Sequence, residues 1–141
     1  MMLMMTWGRR NGDAQNPMLY SNFTVMQDRL EQGYIDYRDN ISLDTSAEIY
    51  IAPVGLAFKH IHDSIVASGG NPLSPTSTFY GLYTADGSHP STSGSYLAAC
   101  VLFAALTGDS PVGLTDNTTM DATLRLTLQQ AAAEVVFNGS S

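Results

Sequence analysis

The first seven residues, Met1 to Trp7, form an apolar run that stops in the turn-rich segment Gly8-Arg9-Arg10-Asn11-Gly12-Asp13. An apolar run closed this way predicts a buried strand leading into a loop. After Asn16-Pro17 the period changes. Phe23, Met26, Leu30 and Tyr34 recur at spacings of three and four, the stripe of an amphipathic helix, with Asn22 placed to cap its start and Asn40 near its end. Glu48 to Pro53 reads as a second buried strand, closed by Pro53 and Gly55, and Leu56 to Ala67 as a second helix stopped by Ser68-Gly69-Gly70. Asn71 to Thr78 carries two prolines and several hydroxyl residues and is expected to be loop. Phe79 to Tyr83 then leads into the polar loop Thr84-Ala85-Asp86-Gly87-Ser88-His89-Pro90. A third helix is expected from about Thr92 to Thr107, with Leu97, Cys100, Val101, Ala104 and Ala105 on one side and Gly108 as its stop. A fourth runs from about Met120 to Phe137, with Thr119 as N-cap, Leu124, Leu128, Ala131 and Val135 as core face, and Gly139 as stop.

Strand, helix, strand, helix, loop, helix, helix is the order of an α/β domain with a parallel sheet. Two parallel strands do not cover four helices, and an uncovered edge is a pairing hazard. The expectation is one domain over residues 1–141 that forms part of a larger α/β fold, with a first strand whose beginning belongs upstream of Met1.

Composition narrows the function. Apolar residues make up 44% of the 141 positions, ample for a core, and charged residues only 13% against roughly 25% in an average soluble domain. Six Lys and Arg against 13 Asp and Glu leave a net charge of −7, which repels phosphate backbones and argues against nucleic acid as a partner. No apolar stretch reaches the roughly 18 residues of a membrane span; the longest candidate, Tyr96 to Leu106, is short and rich in Ala. The lone cysteine, Cys100, excludes an internal disulfide and a Cys-based zinc site, and no metal is expected. Met1 to Met5 lacks the basic flank and cleavage site of a signal peptide. Asn-x-Ser/Thr triplets begin at Asn22, Asn40, Asn117 and Asn138 and read as chance in a chain rich in these residues.

The chemistry is concentrated in Asp86-Gly87-Ser88-His89-Pro90. A histidine acting as general base needs its second ring nitrogen held by an acceptor, usually a carboxylate. Asp86 and His89, three residues apart on one tight loop, can supply that contact without help from another element. Gly87 frees the loop, Pro90 stiffens its exit, and Ser91 or Thr92 can cap the helix that follows. A helix-capping loop with solvated Asp and His has the same spacing, so spacing alone leaves both readings open.

The flanks add to this. Asp86-Gly87-Ser88-His89-Pro90-Ser91, followed by Gly94-Ser95-Tyr96-Leu97-Ala98-Ala99, resembles the last block of the SGNH (GDSL-type) hydrolases. Met5-Thr6-Trp7-Gly8-Arg9 looks like that superfamily's late central strand and following loop, and Tyr50-Ile51-Ala52-Pro53-Val54-Gly55 like its last strand. Leu106-Thr107-Gly108 with Ser110-Pro111 looks like the end of its C-terminal helix. The resemblance implies a three-layer, flavodoxin-like α/β fold represented by its C-terminal part. It also implies hydrolysis of a carboxylic ester, with acyl groups on carbohydrate as one substrate class. His89 and Asp86 would be the His and Asp of a Ser-His-Asp triad, and no cofactor is implied.

The superfamily's nucleophile, in Gly-Asp-Ser after the first strand, and its Gly and Asn oxyanion donors have no counterpart in these residues. Gly108-Asp109-Ser110 spells the nucleophile motif, but it follows a helix and lies after the His, so Ser110 reads as a decoy. His60 and His62, two apart on a helix, point in different directions and read as a solvated face. Cys100 lies on an apolar helix side and reads as core. Trp7, Arg9 and Arg10 follow a strand's C-terminal end, where α/β sheets place ligands; Trp7 and Arg9 are the candidates for binding substrate, and Arg10 suits surface solvation equally well. Tyr83, with Tyr80, either lines the cleft or packs beneath it. Two other classes stay open: a non-catalytic binding or scaffold piece pairing with itself as a homo-oligomer through sheet edges, and a complete small hydrolase using Ser110.

Overall fold

Asn22 sits in extended backbone, and its side-chain oxygen accepts the Val25 N–H at 2.9 Å. This cap satisfies a donor that the first helical turn would otherwise leave open, and helix α1 (Phe23–Ser42) starts where the period-3.6 stripe starts. α1 links two short parallel strands, β1 (Met2–Met4) and β2 (Tyr50–Ala52), paired Met2 with Tyr50, Leu3 with Ile51 and Met4 with Ala52. Helix α2 (Val54–Ala67), a 3₁₀ turn at Tyr80–Leu82, helix α3 (Thr92–Thr107) and helix α4 (Ala122–Ala133) follow. α4 continues as a π-helical turn, Glu134–Asn138. The structure is a computed structural model and describes residues 1–115 and 118–139. Among these the chain is an α/β fold with four α-helices and a two-stranded parallel sheet. The triplet at Asn117 lies outside the described residues, and the one at Asn138 runs into Ser140, also outside them.

Both strands are shorter than the apolar runs that announced them. After Met5, whose N–H still bonds Ala52 at 2.9 Å, Trp7 leaves the sheet to stack on Phe58 (ring centroids 5.1 Å apart, planes 9° apart). The Gly8 N–H bonds the Gln27 side chain at 2.7 Å. Gln27 is wholly buried, and its amide also donates to the Thr6 carbonyl at 3.4 Å, so it supplies the partners that a sheet neighbour would have given.

The core gathers one face of α2, α3 and α4 with Phe23 of α1. Phe23, Phe79, Tyr83 and Phe58 run through it as edge-to-face ring pairs at 4.7, 5.5 and 5.6 Å. Burying each such ring contributes about 1.5–3 kcal/mol. α3 buries Leu97, Cys100, Val101 and Ala104, begins at Ser91, whose hydroxyl accepts the Gly94 N–H, and ends on Gly108 at φ +77°. α4 is capped by Asp121 where Thr119 was expected. The Asp121 carboxylate accepts the N–H groups of both Thr123 and Leu124, which a hydroxyl two residues earlier does not reach, and its charge suits the helix dipole. No helix among the described residues is long and apolar enough to cross a membrane.

Candidate active site

The segment between the 3₁₀ turn and α3 closes on itself. Thr84 N–H bonds the His89 carbonyl at 2.9 Å, Gly87 N–H bonds Thr84 at 3.0 Å, and Ser91 N–H bonds Leu82 at 2.9 Å. Gly87 takes φ +68°, a conformation open to glycine and costly for most other residues. Inside this turn one oxygen of Asp86, Oδ1, accepts three donors: the Thr84 hydroxyl (2.8 Å), the Ser88 N–H (2.8 Å) and the His89 N–H (2.9 Å). With Oδ1 so occupied, the carboxylate cannot swing, and Oδ2 meets His89 Nδ1 at 2.5 Å. The His89 contact, the two amides and the hydroxyl together hold the Asp86 carboxyl well below the usual carboxylate range. An ionised Asp86 can only accept, so His89 Nδ1 is the donor, and in the neutral form of the ring Nε2 is left as the acceptor. The His89 side chain is 78% exposed, and Nε2 has no hydrogen bond to another described residue. This is the geometry of an oriented general base.

Trp7 and Tyr83 approach this pair from below. The Trp7 indole N–H donates to the Ser88 carbonyl at 3.0 Å, and the Tyr83 hydroxyl to the Gly8 carbonyl at 2.7 Å. Tyr83 is buried, which pushes its hydroxyl pKa upward, so it lies beneath the turn with its polar end engaged. Arg9 turns elsewhere. Its side chain is half-exposed and pairs with Asp13 at 3.1 Å, while Asn16 and the Gln15 N–H, with help from Arg9, hold that carboxylate below its ordinary pKa.

Of the two readings open for Arg10, surface solvation is corrected: the residue is 6% exposed. Its guanidinium lies over the Tyr80 ring at 3.8 Å, Nη1 donates to the Tyr80 carbonyl at 3.3 Å, and its backbone N–H donates to Gly87 at 2.8 Å. Nε is buried without a hydrogen-bond partner among the described residues, an arrangement that costs about 1–3 kcal/mol. No sequence period announces this burial, because the ring that covers the guanidinium is supplied 70 residues further on. His62 is a second correction. In place of a solvated face, its ring packs edge-on against Phe79 at 4.9 Å and beside Phe23 at 5.1 Å, with Nδ1 on Asp63 at 2.9 Å. The gap between two core rings takes a flat side chain, and Asp63 satisfies its polar edge.

Ser110 follows the C-terminal end of α3, whereas His89 precedes its N-terminal end. A 16-residue helix is roughly 24 Å long, so the two do not meet within one chain. Cys100 is buried in the core. No group of three or more His, Cys, Asp and Glu among the described residues is placed to hold a metal ion. A cleft of about 340 Å³, lined among others by Glu31, Ile35, Arg38, Ile49, Leu56 and Val136, includes no residue of the Asp86–His89 turn.

No family model matches the chain, and no curated protein matches it. The fold is similar to the crystal structure of a DUF4886 family protein from Bacteroides uniformis ATCC 8492, with a TM-score of 0.74 at 20% sequence identity. The likeness covers 99% of this chain and 49% of that one, so the chain spans about half the length of that structure. At this identity the likeness concerns the fold alone.

Proposed function

We propose that the chain is the His-Asp portion of an SGNH-type ester hydrolase, the C-terminal part of a three-layer, flavodoxin-like α/β domain. One observation carries the reading: Asp86 is locked by three donors of its own turn, fixes His89 through Nδ1, and leaves Nε2 open. The resemblance of the Asp-x-x-His-Pro block to that superfamily supplies the reaction type, and an acyl group on a small molecule or carbohydrate is the substrate class. A serine hydroxyl supplied by residues outside this chain attacks the ester carbonyl, and His89 Nε2 takes its proton. The imidazolium then gives that proton to the departing alcohol. His89 next activates water to release the acyl group. Asp86 holds the tautomer and stabilises the charged ring throughout.

The purified chain alone is expected to leave p-nitrophenyl acetate at its background rate, because no segment of it matches the superfamily's nucleophile or oxyanion blocks. Joined to the polypeptide encoded immediately upstream of Met1, it is expected to turn the ester over, and His89→Ala to stop it. Turnover by the chain alone that disappears in Ser110→Ala contradicts the proposal. The openness of the pair, with His89 78% exposed, favours a second reading, a non-catalytic scaffold. In that case the joined polypeptide stays inactive and His89→Ala changes nothing.

A further inference from the structure

Arg10 is a buried cation with no carboxylate beside it, and its Nε has no partner among the described residues. A side chain that is costly to bury calls for an explanation other than core filling. Its surroundings supply one. The guanidinium carbon lies over the Tyr80 ring, 3.8 Å from its centroid, and the same group meets Gly87, where a Cβ would stand 3.4 Å from Nη2 and 3.6 Å from Cζ. Its own backbone N–H holds the Gly87 carbonyl at 2.8 Å. Gly87 directly follows Asp86 and lies two residues before His89.

We propose that Arg10 is a positioning residue for the Asp86–His89 pair: a flat spacer between Tyr80 and Gly87 that sets how far the turn stands off the core. The proposal rests on reading Asp86 and His89 as the reacting pair. The groups holding the Asp86 carboxyl ionised are donors of its own turn, so Arg10 acts on the path of the backbone at Gly87 and not on the carboxylate directly. Lysine keeps the charge but has no flat face to lie between ring and backbone.

The test is the tautomer of His89 in the 141-residue chain, read from its ring nitrogens by ¹⁵N-histidine NMR at a pH where the ring is neutral. In the unmodified chain the proton is expected on Nδ1. In Arg10→Met, and equally in Arg10→Lys, it is expected to redistribute toward Nε2 while the amide spectrum stays folded. A loss confined to thermal stability, with Nδ1–H retained in folded Arg10→Met, overturns the proposal, as does full retention in Arg10→Lys. Should Arg10→Met fail to fold, Tyr80→Leu decides. It removes the ring under the guanidinium and leaves the carbonyl, so the same redistribution is expected, and an unchanged tautomer overturns the spacer. An unmodified chain without the Nδ1–H preference overturns instead the reading of the pair on which this one rests.

Discussion

Asp86 divides its two oxygens between two tasks, one closing the turn and one orienting His89. Because the fold favours its charged form, the sign of its pH dependence follows. Its contribution to the turn is complete above the ordinary value of 3.8 and is lost only as pH falls through the lower value it has when folded. Between about pH 5 and pH 3, where an ordinary aspartate titrates, the Ser88 and His89 amide signals are expected to hold their positions and to move only in stronger acid. In Asp86→Asn that acid step is expected to vanish. The same substitution tests catalysis in the polypeptide extended upstream. Asn can present its amide nitrogen where the carboxylate was and so favour the wrong imidazole tautomer, which costs roughly 10⁴-fold in the serine-protease precedent. His89→Ala is expected to remove nearly all turnover, and Ser110→Ala to leave it within about twofold, since that hydroxyl accepts the Val112 N–H beyond the far end of α3. Steady-state rates on p-nitrophenyl acetate check all three.

Elements carry the site through close approaches that the sequence does not display. Gly94, in the first turn of α3, is buried so tightly that a Cβ there would stand 2.1 Å from the Leu82 carbonyl oxygen, a backbone atom with little room to yield. Gly94→Ala is therefore expected to destabilise the chain by about 1–3 kcal/mol in urea unfolding and to displace the Asp86–His89 turn that joins Leu82 to α3. Gln27→Leu is expected to cost about as much by leaving the buried Gly8 N–H without its acceptor. Against these contacts one sees which features are legible in the chain. Asn22, Ser91 and Gly108 act on their own helix ends, so local sequence suffices to find them; Asp86 and His89 share one turn, so their spacing admits the contact, though it admits a solvated pair equally. The extent of β1 depends instead on Gln27, 19 residues beyond the Gly8 that it binds, and the burial of Arg10 on Tyr80, 70 residues away. Thr119 and Asp121 are both good caps in isolation, and only the geometry of the helix start chooses between them. Periodicity reports which face of an element is apolar. It does not report which distant residue comes to cover it.

At the scale of the whole molecule, a two-stranded parallel sheet leaves each strand with neighbour-free backbone groups among the described residues. Met1, Met4 and Tyr50 lie at that sheet with 69%, 41% and 55% of their surface exposed. Unpaired strand edges beside exposed apolar side chains invite a further strand. Opposing this, a net charge of −7 makes copies of the chain repel one another. The two effects respond oppositely to salt, which makes them separable. Screening shortens the reach of the charge repulsion to about 8 Å at physiological ionic strength and leaves apolar contact intact. The 141-residue chain is therefore expected to sediment as a species heavier than a monomer, and more completely so as salt is raised. Met4→Lys, which places a charge at the edge of β1, is expected to return it toward monomer without unfolding it. A monomer at every salt concentration, with cooperative unfolding, contradicts this account of the sheet. Assembly that weakens as salt is added points instead to ion pairing between copies, and Met4→Lys then leaves it unchanged.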